Sequence, residues 1–119
     1  LGGRPLVCLP GNPVSAFVVF TLLVTPLIRG LQGRRDVLGP VWRGVLSTGP
    51  MGGGSRDDFL RVRAQPDPQG LPTLSPHSQQ SSGALGSLAW ANALARVPAG
   101  EAAGQGSVLD WYPLSDWLA

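Results

Sequence analysis

The residues best suited to chemistry are concentrated in one short stretch, LPGNPVSAF, from Leu9 to Phe17. Pro10 and Pro13 have φ fixed at roughly −65° and offer no amide donor, while Gly11 accepts backbone angles closed to other residues. A loop built this way is restricted to one shape. Asn12 stands where a helix takes its N-cap, and Pro13 stands at the first helical position, whose amide has no intrahelical partner in any case. The unpaired amides and positive dipole end of the following helix, with the Ser15 hydroxyl in its first turn, suit an anion. A rigid cap that merely ends one element and starts the next would use the same residues, and the pattern alone leaves both readings open. A nucleotide P-loop is excluded, because the spacing and lysine of G-x-x-x-x-G-K-[ST] are missing.

Other reactive side chains are isolated. His77 is the single histidine, in the polar stretch SPHSQQSSG, and reads as a solvated residue. No Cys/His set for zinc and no Ser/His/Asp triad can be assembled. Asp57 and Asp58 are adjacent, so on a strand they point to opposite faces and cannot share one ion; a magnesium site would need carboxylates from elsewhere. No metal ligand is therefore assigned. Cys8, the only cysteine, lies in the apolar run PLVCLP and reads as a small buried hydrophobe. One cysteine and no secretory leader predict a reducing, cytoplasmic setting.

The elements that must hold the loop are legible around it. Pro5 to Leu9 reads as a short strand apolar on both faces, as in a parallel sheet covered by helices. Val14 to Leu31 reads as a helix apolar nearly all round, stopped by Gly30 and Gly33, with Arg29 near its C-terminus to complement the dipole and Pro26 kinking its last turns. Strand, loop and helix together form half of a βαβ unit. After Arg34 the pattern changes: Gly39-Pro40, Gly49-Pro50, Gly52-Gly53-Gly54, Pro66-Asp67-Pro68 and Gly70 separate short segments such as VWRGVL, DFLRVRA, SLAWANALARV and SVLDWYPL. These predict strands of a small barrel or sandwich. Ala89 to Ala95 is alanine-rich and has some helical propensity. Trp42, Trp90, Trp111 and Trp117 are expected to build the core of this half, Trp117 with a surface position as its alternative. The predicted fold class is α/β followed by all-β.

Composition narrows the function classes. The chain has 119 residues, 43% of them hydrophobic, and a net charge of +2. Its nine basic residues are all arginine, scattered from Arg4 to Arg96 with no run longer than Arg34-Arg35. A nucleic-acid footprint of clustered cations is absent. The apolar stretch Val14 to Ile28 is fifteen residues broken by Ser15, Thr21, Thr25 and Pro26, short of the roughly twenty a membrane span needs. Neither nucleic acid nor membrane is an expected partner. A start at Leu1 without methionine, with the first element only a few residues on, predicts a C-terminal fragment.

At LPGNPVSAF followed by VVFTLLVTPLIRGLQG the chain resembles the C-terminal part of MoeA, the molybdopterin molybdotransferase family that includes the C-terminal domain of gephyrin. There a P-G-N-P-V-S loop opens a long apolar helix interrupted by proline and closed by glycine. RDDFLRV from Arg56 resembles the family's R-x-[DE]-F-x-R-G, and QQSSGALGSLAWANALARVPAG from Gln79 resembles its Q-G-S-G segment, serine-rich strand and A-N-x-L. Val62 and Ser81 depart from the pattern where the family has glycine.

The resemblance implies that residues 1–33 end a molybdopterin-binding α/β domain and 38–119 form a small C-terminal β-barrel domain. It implies insertion of molybdate into adenylylated molybdopterin with magnesium, in molybdenum cofactor biosynthesis, by a homodimer. Pro10, Gly11, Asn12, Pro13 and Ser15 would line the molybdate and pterin-phosphate pocket, and Arg61 and Ser82 would face the cleft from the barrel. The magnesium ligands and the lysines near the oxyanion would lie upstream of Leu1, so the chain alone is expected to be inactive. The alternative implied by the gephyrin branch is a non-catalytic binding or scaffolding module.

Overall fold

A computed structural model of the chain describes residues 13–78, 80 and 85–119. The expected strand Pro5 to Leu9, the loop Pro10 to Asn12 and Ser82 lie outside the described residues. Helix begins at Pro13, as the proline's fixed φ and missing donor favour, and runs as α1 (Pro13–Val19), a π-helical turn (Phe20–Val24) and α2 (Thr25–Leu31).

Pro26 explains the wide turn. Its ring would collide with the carbonyl four residues back in regular α-helix. The chain instead closes a five-residue step just ahead of it, with the Thr25 amide and the Thr25 Oγ1 (3.1 Å) both donating to the Phe20 carbonyl. The helix ends at Leu31, as expected, and of the two glycines Gly33 is the one that stops it. Gly33 takes φ of 74°, and its amide reaches Gly30 O at 3.0 Å while the Arg34 amide reaches Arg29 O at 3.0 Å. This is the Schellman arrangement that a glycine at that position permits.

The expected all-apolar face is also corrected. The helix buries Val14, Thr21, Pro26 and Arg29, whereas Leu23, Ile28 and Leu31 are exposed. Arg29 does more than complement the dipole. Its guanidinium donates to the carbonyls of Asp116 (2.8 Å), Trp117 (3.0 Å) and Ala119 (2.8 Å) and, more distantly, Val37 (3.4 Å).

The remainder is a closed barrel. Its strands are β1 (Trp42–Leu46), β3 (Asp58–Asp67), β4 (Gly70–Pro76), β5 (Ala93–Val97) and β7 (Val108–Pro113), in the order β1-β4-β3-β5-β7 with β7 returning to β1. Only β1 and β4 run parallel; the other pairs are antiparallel. A short ribbon of β2 (Met51–Gly52) and β6 (Ala102–Ala103) closes one side. Closure removes the open edges on which a small sheet would otherwise aggregate.

The core inside the barrel is aliphatic: Leu46, Leu60, Val62, Leu74, Ala93, Ala95, Val97 and Leu109, with Ala103 from β6. Tryptophans do not build it. Trp111 packs against it, Trp42 is 54% exposed, and Trp117 is buried outside the barrel with its indole N–H on Pro40 O at 2.8 Å. A barrel of five short strands has little interior volume, and its inward positions go to alanine, valine and leucine. Gly44 shows how tight the interior is, since a Cβ there would lie 2.8 Å from the Leu74 side chain.

Two segments differ from their expected states. SLAWANALARV is not one strand: α3 (Leu85–Trp90) precedes β5. And β4, in a segment that carries Pro72 and Pro76 and is not among the expected strands, pairs with β3 across a turn in which Asp67 Oδ1 accepts from the Gln69 amide at 2.9 Å and Asp67 pairs with Gly70. The chain closes with a single turn, α4 (Leu114–Trp117).

Candidate functional site

Alternation along β3 decides where Arg61 goes. Leu60 and Val62 point into the core, so Phe59, Arg61 and Arg63 point outward. Arg61 stands in register with Leu94 on β5, and Leu94 with Tyr112 on β7. This part of the outer wall is covered. Leu94 is fully buried, Tyr112 meets Phe59 edge-on at 6.0 Å and Trp117 at 5.5 Å, and α3 lies over β3.

Arg61 is 3% exposed. Its Nε donates to the buried Ser87 Oγ of α3 at 3.2 Å, and its Nη1 to Phe59 O at 2.9 Å. Burial pushes its pKa down, with the charge of Asp58 acting in the opposite direction. Taking a guanidinium out of water is costly unless hydrogen bonds and anionic charge compensate it, and such a position favours an anion nearby. Burial likewise raises the Tyr112 phenol.

Around this centre, Arg63 lies over the Trp90 ring with its guanidinium carbon 4.7 Å from the centroid, and donates through Nε to Trp90 O at 2.8 Å. His77 also meets that indole, edge-on at 5.0 Å. His77 is thus half-buried against an aromatic ring, which corrects its reading as a solvated histidine. Asp57 and Asp58 diverge as their adjacency implies. Asp57 accepts from Arg96 Nε at 2.7 Å and the Ala99 amide at 2.8 Å, while Asp58 starts β3 opposite Val97.

Of the residues expected to carry function, Arg61 is described in full, and Pro13 and Ser15 are placed in the first turn of α1. Pro10, Gly11, Asn12 and Ser82 lie outside the described residues. The structure brings together two regions far apart in sequence: α1 (Pro13–Val19) touches α3 (Leu85–Trp90), the helix that covers Arg61. Among the described residues, no three His, Cys, Asp or Glu side chains are grouped to hold a metal ion. Nor is any helix there long and apolar enough to cross a membrane.

Sequence reasoning missed the residues that fix Arg61. Ser87 carries no local signal. Gln80, whose carboxamide bonds to the Arg61 backbone, stands in the Q-G-S-G-like segment and was passed over as motif context.

The fold and this wall define a small closed barrel with a buried arginine beneath a covering helix, attached to a proline-interrupted apolar helix. Residues 43–114 match the family model for the MoeA C-terminal region (domain IV). The chain belongs to the MoeA family. Over 102 residues it is 34% identical to molybdopterin molybdenumtransferase 1 of Mycobacterium tuberculosis, an alignment covering 82% of this chain and 24% of the relative. It therefore spans about a quarter of that relative's length. Among solved structures it is similar to a molybdenum cofactor biosynthesis protein from Pyrococcus furiosus, with a TM-score of 0.68 and 27% identity over 87% of this chain and 36% of the other. A molybdopterin biosynthesis MoeA protein from Pyrococcus horikoshii gives a TM-score of 0.67 and 27% identity, covering 89% of this chain and 25% of that one.

Proposed function

We propose that this chain supplies the C-terminal part of a molybdopterin molybdotransferase, an enzyme of molybdenum cofactor biosynthesis that inserts molybdate into adenylylated molybdopterin. In this reading residues 1–33 end its molybdopterin-binding α/β domain, 38–119 form its barrel domain, and the complete protein is a cytoplasmic homodimer. The observation that carries it is the guanidinium of Arg61 buried beneath α3, with α1, the helix that starts at Pro13, against that same helix. A cation and a helix start on neighbouring elements are what a tetrahedral dianion would use.

Within that pocket the loop Pro10 to Asn12, with Pro13, would present a rigid concavity. Ser15 would donate its hydroxyl to an anionic oxygen, Arg61 would offset charge, and Ser82 would add a second hydroxyl donor. Magnesium is the ion the family implies. The described residues do not fit it, since they group no three carboxylate, histidine or cysteine ligands, so its ligands would have to come from residues outside those described. For the same reason the 119-residue chain alone should form no cofactor.

The test is molybdenum-cofactor formation by the complete protein, by its Ser15→Ala and Arg61→Ala variants, and by this chain alone. Ser15→Ala should weaken oxyanion binding by about 1.5–3 kcal/mol, the range for a hydrogen bond to a charged group. Arg61→Ala should lose more, because charge and several donors go together. An active isolated chain, or two variants equal to wild type, would remove the reading.

A further inference from the structure

The ladder between β3 and β4 ends at the pair Val62 and Pro76, and the next pair in register would be Arg61 with His77. Opposite pairs in an antiparallel ladder alternate between exchanging two N–H···O bonds and exchanging none, and the bond between the His77 amide and the Arg61 carbonyl places this pair in the first class. Only one is made directly, His77 N donating to Arg61 O at 3.0 Å. A side chain replaces the other. Arg61 N donates to Gln80 Oε1 at 3.1 Å, and Gln80 Nε2 donates to His77 O at 2.9 Å and to Arg61 O at 2.9 Å. The carboxamide is spliced into the ladder where the chain leaves the strand. Its orientation follows from its partners, because the Arg61 amide needs an acceptor and both carbonyls need a donor. A primary carboxamide offers both; an ionised glutamate of the same length offers no donor.

We propose that Gln80 is a positioning residue for Arg61. It pins the Arg61 backbone on its one side while Ser87 and Phe59 hold the guanidinium on the other, and so fixes where the charge stands beneath α3. The inference rests on the molybdotransferase reading, since positioning affects turnover only if Arg61 serves the oxyanion. An internal control exists on the same strand. Asn92 clamps Ala64 in a similar way, with Ala64 N donating to Oδ1 at 2.8 Å and Nδ2 donating to Ala64 O at 3.2 Å, but it holds none of the candidate residues.

The experiment measures kcat, KM for molybdate and melting temperature in the complete protein for Gln80→Ala, Gln80→Glu, Arg61→Ala, the Gln80→Ala/Arg61→Ala double variant and Asn92→Ala. Both Gln80 variants should raise KM by roughly three- to tenfold, as expected for residues coupled through one network. The double variant should be no worse than Arg61→Ala alone, and Asn92→Ala should lower the melting temperature without moving KM. If Gln80→Ala fails to fold, Gln80→Glu, which keeps the acceptor for the Arg61 amide and loses the donor to both carbonyls, carries the test, with a raised KM as the supporting result and an unchanged KM as the overturning one. An unchanged KM in the Gln80 variants beside an impaired Arg61→Ala would overturn the positioning role and leave the enzyme reading standing. Multiplying effects of the two substitutions would overturn it as well. An Arg61→Ala protein equal to wild type would instead remove the enzyme reading, and the positioning role with it.

Discussion

Asp57 and Arg96 are 39 residues apart in sequence, and no spacing rule pairs them; the barrel does, by laying β5 beside the start of β3. The bond from Arg96, and after it the bond from the Ala99 amide, hold the Asp57 pKa below the ordinary carboxylate value. A carboxylate depressed in the folded state contributes stability above its unfolded pKa, about 3.9, and loses it as pH falls through the folded value. Asp57→Asn should therefore melt below wild type near neutral pH. The gap should close as pH drops below about 4, and thermal melts across pH 2–7 would show it. A gap that persists at the acid end would mean the contribution is not electrostatic. The adjacent residues Asp57 and Asp58 were legible as diverging; the partner that Asp57 finds was not.

β3 is the ten-residue strand on which the barrel turns, and it outruns its neighbours. Backbone groups left beyond a partner's end must still be satisfied, and here two side-chain amides do so, Gln80 on the β4 side and Asn92 on the β5 side. The motif-like segments around these two residues are thus explained by geometry the sequence does not display. Because Asn92 is solvent-exposed and water can replace its bonds, Asn92→Ala should cost only about 0.5–1.5 kcal/mol, measurable by urea unfolding; a loss beyond about 3 kcal/mol would show a larger role. The helix offers the opposite case. Thr21 is fully buried in the π-helical turn and, among the described residues, its Oγ1 has no hydrogen-bond partner. Thr21→Val keeps the shape and removes the buried hydroxyl, so it should stabilise the chain by about 1 kcal/mol. A destabilised valine variant would mean that the hydroxyl is satisfied in solution.

At the scale of the molecule, the helix meets the rest of the chain where α1 lies on α3 and where the π-helical turn lies on α4. Arg29 reinforces the second by drawing the C-terminal carbonyls of Asp116, Trp117 and Ala119 onto one guanidinium. The barrel core contains no residue of the helix. Arg29→Ala should accordingly release residues 114–119 without opening the barrel. Amide exchange should rise in that tail while Leu60, Val62 and Ala95 stay protected, and uniform loss of protection would show that helix and barrel unfold together.

The sequence by itself determined the helix start at Pro13, its end at Leu31, the strands at VWRGVL, DFLRVRA and SVLDWYPL, and the family, because each rests on local backbone preference, alternation or motif spacing. Only the tertiary structure decided the rest. SLAWANALARV became a helix and a strand because α3 was needed over the outer wall, and the proline-bearing β4 became a strand because its turn and two neighbours held it there. Arg61 was legible as a family position, whereas its burial, its bonds to Ser87 and Phe59 and the carboxamide at its backbone were not. Those depend on contacts between residues far apart in the chain, which closure of the barrel brings together and no local pattern encodes.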